Sequence, residues 1–288
     1  MKTIDDYSLL NYFLKRFYFN QIEVFKGADN LEQILKRYPR LVCAVNHGPA
    51  PAPFAVFAGV IDNYLKLGGA ERKPLTVAWR GFYEMPLVSR FIRYVTQADR
   101  SLSAEEFLQK FEREGFTDLF VMPEGANCMF GDGEQIVSFV SPRFIELAIK
   151  INVPVLVITH SGTGPLASVH TLSRREMKLM KYLPRKVYQQ VRETGILSLP
   201  HFTQGHLDKV QLNFRLYQPS HTEASLSKDT AVRYRQLMRE AENVREMMIE
   251  MKDEVAGVKT KYPWQSRGSD WKRAPELSPV VDKRRATR

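Results

Sequence analysis

His47 is the residue of this chain best placed to move a proton. It stands in Asn46-His47-Gly48-Pro49-Ala50-Pro51-Ala52-Pro53-Phe54, a proline-rich turn directly after the apolar run Leu41 to Val45. An imidazole titrates near neutrality and can take the proton of an attacking alcohol. It does so best when a carboxylate holds its tautomer and stabilises the imidazolium that forms. A carboxylate five residues on, across a tight turn that becomes a helix, would meet the far ring nitrogen. In this chain that position is Ala52, whose methyl group accepts no hydrogen bond. Taken alone, a histidine after a strand is more often structural than catalytic.

Further segments add to it in order. Trp79-Arg80-Gly81 runs through Pro86 to Ala98-Asp99-Arg100-Ser101. Val121-Met122-Pro123-Glu124-Gly125 puts an acidic turn after a second apolar run, and Val153-Pro154-Val155-Leu156-Val157 is a third such run with an early proline. A planar guanidinium such as that of Arg80 or Arg100 grips phosphate through two hydrogen bonds. For Arg100 a surface salt bridge with Asp99 or Glu105 stays open beside that reading. For Glu124 the open alternative is a loop carboxylate capping a nearby helix.

Over roughly residues 40 to 160, these segments resemble the four blocks of the glycerolipid acyltransferase family built on the HxxxxD motif. Asn46-His47 with Ala52-Pro53 is similar to the first block, NHxxxxDP, with alanine for aspartate. The second block ends in an arginine, as at Arg100, and the third is a PEG, as at Pro123-Glu124-Gly125. The strand with an early proline is similar to the fourth. Gly131-Asp132-Gly133 and Ser138-Phe139 sit where such proteins carry a glycine turn and a phenylalanine. One block would be weak; four in order are fairly specific.

The resemblance implies an α/β domain that transfers a fatty acyl group from acyl-CoA or acyl-carrier protein to a hydroxyl of a lysophospholipid, glycerol phosphate or other lipid-like alcohol. It implies His47 as general base. Arg80, Arg100, Glu124 and Gly125 would form the substrate-binding set, and backbone donors would stabilise the oxyanion. The acyl thioester is a co-substrate, and no metal or other cofactor is expected. No acyl-enzyme is required, so neither Cys43 nor Cys128 need be a nucleophile. The chain departs from the family at Ala52, and at Ala126 and Asn127, where the third block usually continues with threonine and arginine. Losing that arginine weakens the case for a phosphorylated acceptor. Losing the carboxylate beside a catalytic histidine costs about 10⁴ in rate in serine proteases, so the chain should be slow or inactive. Either the alanine is an introduced substitution, or the protein uses another carboxylate, does different chemistry or only binds lipid. A catalytically silent lipid-binding protein and a thioesterase acting on the same donor are therefore the alternatives.

Other sites are weaker. His201, His206 and Asp208 lie close in sequence with no further ligand. His160-Ser161-Gly162-Thr163-Gly164 is not a nucleophile elbow and reads as a turn lining a cleft. No phosphate-binding loop or dinucleotide glycine fingerprint appears.

The elements that must position these residues follow from periodicity. Leu41 to Val45, Leu75 to Trp79, Asp118 to Met122 and Val153 to Thr159 read as buried strands, and Val210 to Tyr217 as a late alternating one. A helix starts at Ser103 and another at Ser141-Pro142. Strands alternating with helices give an α/β domain with a mostly parallel central sheet flanked by helices. Residues 1–30 read as an aromatic helical segment, 31–220 as the α/β domain, 221–256 as a C-terminal helix and 257–288 as a basic extended tail. The helix carries a stripe of Leu237, Ala241, Val244, Met248, Met251 and Val255, suited to packing on the domain. The first part of residues 7–25 is an amphipathic helix, either packed on the core or lying in a membrane interface. A basic stretch from Arg174 to Lys186 is either a surface helix or a membrane-facing one.

The 288 residues suffice for one large domain or two small ones, and 44% hydrophobic with 26% charged residues is the balance of a soluble globular protein. No run reaches the roughly 18 to 20 apolar residues that span a bilayer. Lys15 and Arg16 break any secretory signal, so the expected place is the cytoplasm, peripheral on the inner membrane face. Two cysteines fit neither a disulfide framework nor a zinc site. The net charge of +10 suits anionic lipid or a phosphate-bearing co-substrate. No nucleic-acid motif accompanies it, and nucleic acid is not an expected partner.

Overall fold

A computed structural model of the chain describes residues 1–130, 135–182, 188, 191–192, 195–201 and 207–257. The Gly131-Asp132-Gly133 turn, His206, the end of the basic stretch at Arg185 and Lys186, and the tail from 258 onward lie outside the described residues.

Six strands form one central sheet: β1 (Phe19–Val24), β2 (Leu41–Val45), β3 (Pro74–Thr76), β4 (Asp118–Val121), β5 (Val155–Ser161) and β8 (Leu207–Tyr217), in the order β1-β8-β5-β2-β4-β3. β3, β4, β2 and β5 are mutually parallel; β8 runs antiparallel to β5, and β1 parallel to β8. β2 is apolar at every position because it lies mid-sheet with both faces covered. Its alternating side chains separate two cores. Cys43 and Val45 face α2 (Leu31–Arg37) and α3 (Ala52–Lys66), joining Ile34, Val56 and Leu212. Val42 and Ala44 face the opposite layer of α6 (Ala104–Arg113), α7 (Arg143–Lys150) and α9 (Thr230–Ala256), joining Phe111, Ile145 and Val244. Each such side chain contributes about 1.5–3 kcal/mol by leaving water.

Local signals fix the helices. Ser103 and Glu106 form a reciprocal capping box at the start of α6. Asp229 caps α9, which stops at Gly257 in the left-handed conformation (φ +67°). Its stripe from Leu237 to Met251 is buried against the sheet. At the start of β4, fully buried Asp118 receives a bidentate pair from Arg72 (2.7 and 2.9 Å), whose remaining nitrogen reaches the carbonyls of Leu35 and Tyr38. That ties α2, β4 and the approach to β3 together.

Several boundaries differ from the sequence reading. The 1–30 segment is helical only in part: α1 (Ser8–Tyr18) gives way to β1, which completes the sheet edge beside β8. Backbone partners distant in sequence win there over local pattern. The third strand stops at Thr76, because β3 is an edge strand with one neighbour and leaves Val77 and Trp79 exposed. β5 begins after Pro154, which has no N–H to donate. The irregular stretch after β5 contains a hairpin of β6 (Ala167–Thr171) and β7 (Ile196–Pro200), with the short basic helix α8 (Arg174–Leu179) between them. Two further helices, α4 (Arg80–Glu84) and α5 (Val88–Thr96), follow β3. Among the described residues, no helix is long and apolar enough to cross a membrane.

Candidate functional site

Parallel strands deliver their following loops to one end of the sheet. β2 pairs with β4 and β5 through Ala44↔Val121 and Val45↔Ile158, so the turns carrying His47 and Glu124 emerge beside His160, the penultimate residue of β5. Glu124 is buried and accepts the backbone N–H groups of His47 (2.5 Å) and Val137 (3.0 Å). Two donors aimed at one carboxylate hold the His47 turn against the loop after β4. Burial raises the Glu124 pKa, while the two N–H groups and the charges of Lys252 and Arg245 pull the other way.

The imidazole of His47 is partly buried, with Nδ1 3.2 Å from the carbonyl oxygen of Gly48. A carbonyl only accepts, so this contact puts the proton on Nδ1 and the lone pair on Nε2. Burial lowers the His47 pKa, which keeps the ring neutral. Ala52 opens α3 and is fully buried in the apolar core. Where the resemblance implies a carboxylate, a neighbouring peptide carbonyl partners Nδ1. It orients the ring without offsetting an imidazolium charge.

A second histidine supports the turn: His160, read in the sequence as the start of a turn lining a cleft, lies instead within β5, and the turn begins only after Ser161. His160 is fully buried. Its N–H donates to Asn46 Oδ1 (2.8 Å), its Nε2–H donates to the Asn46 carbonyl (3.0 Å), and its Nδ1 accepts from the Thr163 hydroxyl (3.2 Å). Those partners suit a neutral ring. Burial, the Lys252 charge and His47 push its pKa down to about 3. Gly48 is held at φ +65°, and a Cβ there would come within 2.6 Å of His160 Cε1, so both conformation and space require glycine. The pairing of Asn46 with His160 leaves no trace in local sequence.

Arg80 and Arg100 meet elsewhere. With Arg93, Tyr83, Asp99 and Ser103 they line an open pocket of about 520 Å³ beside α4 and α5. His47 and Glu124 do not line it. Arg80 is paired with Glu84 (2.9 Å) and Arg100 with Glu106 (2.5 Å), all on the surface. Arg100 and the Ser103 cap hold the Glu106 carboxyl down to about 2. The salt bridge weighed for Arg100 therefore exists, with Glu106 rather than Asp99 or Glu105. Gly125 takes φ +53° directly after Glu124, where a Cβ would lie 3.1 Å from Val140.

Cys43 and Cys128 are buried, and burial raises both thiols above their ordinary range, the opposite of an activated nucleophile. Among the described residues, no three His, Cys, Asp or Glu side chains gather as a metal site would. The chain matches no protein-family model and no curated protein sequence.

Proposed function

We propose that this chain is an O-acyltransferase. It moves a fatty acyl group from acyl-CoA or acyl-carrier protein to a hydroxyl of a lysophospholipid, glycerol phosphate or related lipid-like alcohol, slowly because of Ala52. One observation carries the reading: Glu124 binds the backbone of His47, joining the first and third family-like segments at the ends of adjacent parallel strands. In that arrangement Nε2 of His47 takes the acceptor's proton as its oxygen attacks the thioester carbonyl. The thiolate then leaves with the proton His47 holds. The Gly48 carbonyl fixes the tautomer, and Glu124 fixes the turn. The pocket with Arg80 and Arg100 is suited to a phosphate of donor or acceptor. A membrane surface is the proposed source of acceptor, on the cytoplasmic face.

Ala52→Asp tests this. Thiol release from an acyl-CoA in the presence of a lysophospholipid should rise by up to about 10⁴, by analogy with other carboxylate-oriented histidines. Thiol release that needs no acceptor would make the protein a thioesterase instead. A second reading, a catalytically silent lipid-binding protein of the same fold, is favoured by the buried methyl of Ala52. Silence of Ala52→Asp would select it, provided that variant folds.

A further inference from the structure

The end of the sheet that carries His47 also carries a concentration of exposed apolar side chains. β3 is parallel to β2 and β4, so the chain after Thr76, with Trp79, Phe82, Met85 and Leu87, leaves the sheet on the His47 side. α5 then runs back, and at its far end Gln97 Nε2 donates to the carbonyl of Pro74 at the start of β3. Leu87 is thus the turning point of an α4–α5 hairpin. β1 is parallel to β8 and β8 antiparallel to β5, so β1 starts where β5 ends. The last turns of α1, with exposed Phe13 and Phe17, therefore reach the same end. Tyr7, just before α1, meets Tyr94 of α5 edge-on, and Phe54 of α3 packs on Phe91 of α5.

Leu87 is the telling residue. It is 90% exposed and sits at φ +67°, ψ −45°. The Val88 N–H donates to the Pro86 carbonyl across it (2.8 Å), which closes a γ-turn of the rare, strained form. Glycine would adopt that backbone at lower cost, and the leucine side chain packs on almost nothing. Neither stability nor backbone preference accounts for a leucine there. Trp79, 63% exposed, stacks edge-on with Phe82 beneath the tip, and an aromatic pair of this kind suits the interface between headgroups and water. Exposed Arg90 in the first turn of α5 and Arg16 near the end of α1 add positive charge beside the apolar residues, while Arg80 is paired with Glu84.

We propose that this face docks on an anionic phospholipid bilayer, with Met85 and Leu87 entering the headgroup layer and the arginines meeting lipid phosphates. It deepens the membrane association suggested above and rests on that reading for what the bilayer supplies to His47; the docking itself needs no turnover. The test is co-sedimentation of the full chain with vesicles of phosphatidylcholine alone or mixed with phosphatidylglycerol. Binding to the mixed vesicles is expected. Leu87→Asp should weaken it about tenfold, the loss of one apolar anchor, while melting at the wild-type temperature because the side chain is exposed. His47→Ala should bind as wild type does. No binding to the anionic vesicles, or equal binding by Leu87→Asp, would overturn the proposal. So would dimers that Leu87→Asp abolishes without any vesicle binding. Vesicle binding that depends on Leu87, with no thioester turnover by any variant, supports docking and counts against acyl transfer alone.

Discussion

His47 owes its position to groups that never touch a substrate in the proposed chemistry. Glu124 takes its backbone N–H, Gly48 supplies the carbonyl at Nδ1, and His160 packs against that glycine. Glu124→Gln keeps one acceptor but turns an NH₂ group toward a second N–H. It should cost about 1–3 kcal/mol in chemical denaturation and lower turnover by up to about a hundredfold through misplacement of the base. Two pH effects follow from the imidazoles. Because burial lowers the His47 pKa, the acid limb of a kcat/KM profile should fall below the ordinary histidine value of about 6.5. His160 acts on stability. The unfolded chain binds its proton near pH 6.5, whereas the folded chain resists down to about 3. The unfolded state thus holds more protons in that window, so the His160 contribution is complete above about pH 6.5 and declines as pH falls toward 3. A denaturation series from pH 7 to pH 4 should show that decline, flattened in His160→Asn; equal slopes would contradict it.

At the level of elements, α9 covers one face of the sheet together with α6 and α7. Met248 is fully buried in its stripe, so Met248→Ala should cost about 2–5 kcal/mol by urea unfolding. The 4-3-4-3 spacing of that stripe was legible in the sequence because one helical face dictates its residue types. β2 was legible to the residue for a similar reason: a strand covered on both sides tolerates only apolar side chains. The Ser103 capping box is likewise a purely local signal. β1 was not legible, since its partner β8 lies far along the chain and residues 19–24 continue an aromatic run that starts as a helix. The site was legible as residue types in order, but not as geometry. Nothing local to Glu124 says that it holds the backbone of His47, and nothing near His160 says that it clasps Asn46.

The whole molecule combines a rigid base with a chemically loaded opposite end. At the base, Arg72 and Asp118 form a buried bidentate pair. Removing one partner strands a charge, so Asp118→Asn should destabilise by about 3–5 kcal/mol, read from the urea midpoint with thioester turnover of the remaining folded protein unchanged. At the other end lie His47, the exposed tip at Leu87 and part of the excess positive charge, an arrangement suited to drawing a lipid acceptor from a surface toward a base. The most direct measurement is mass spectrometry of the products formed from an acyl-CoA and a lysophospholipid by the Ala52→Asp chain, with and without His47→Ala. The account predicts a new acyl ester that depends on acceptor and vanishes with the imidazole. The same ester made at the same rate without His47 would contradict it.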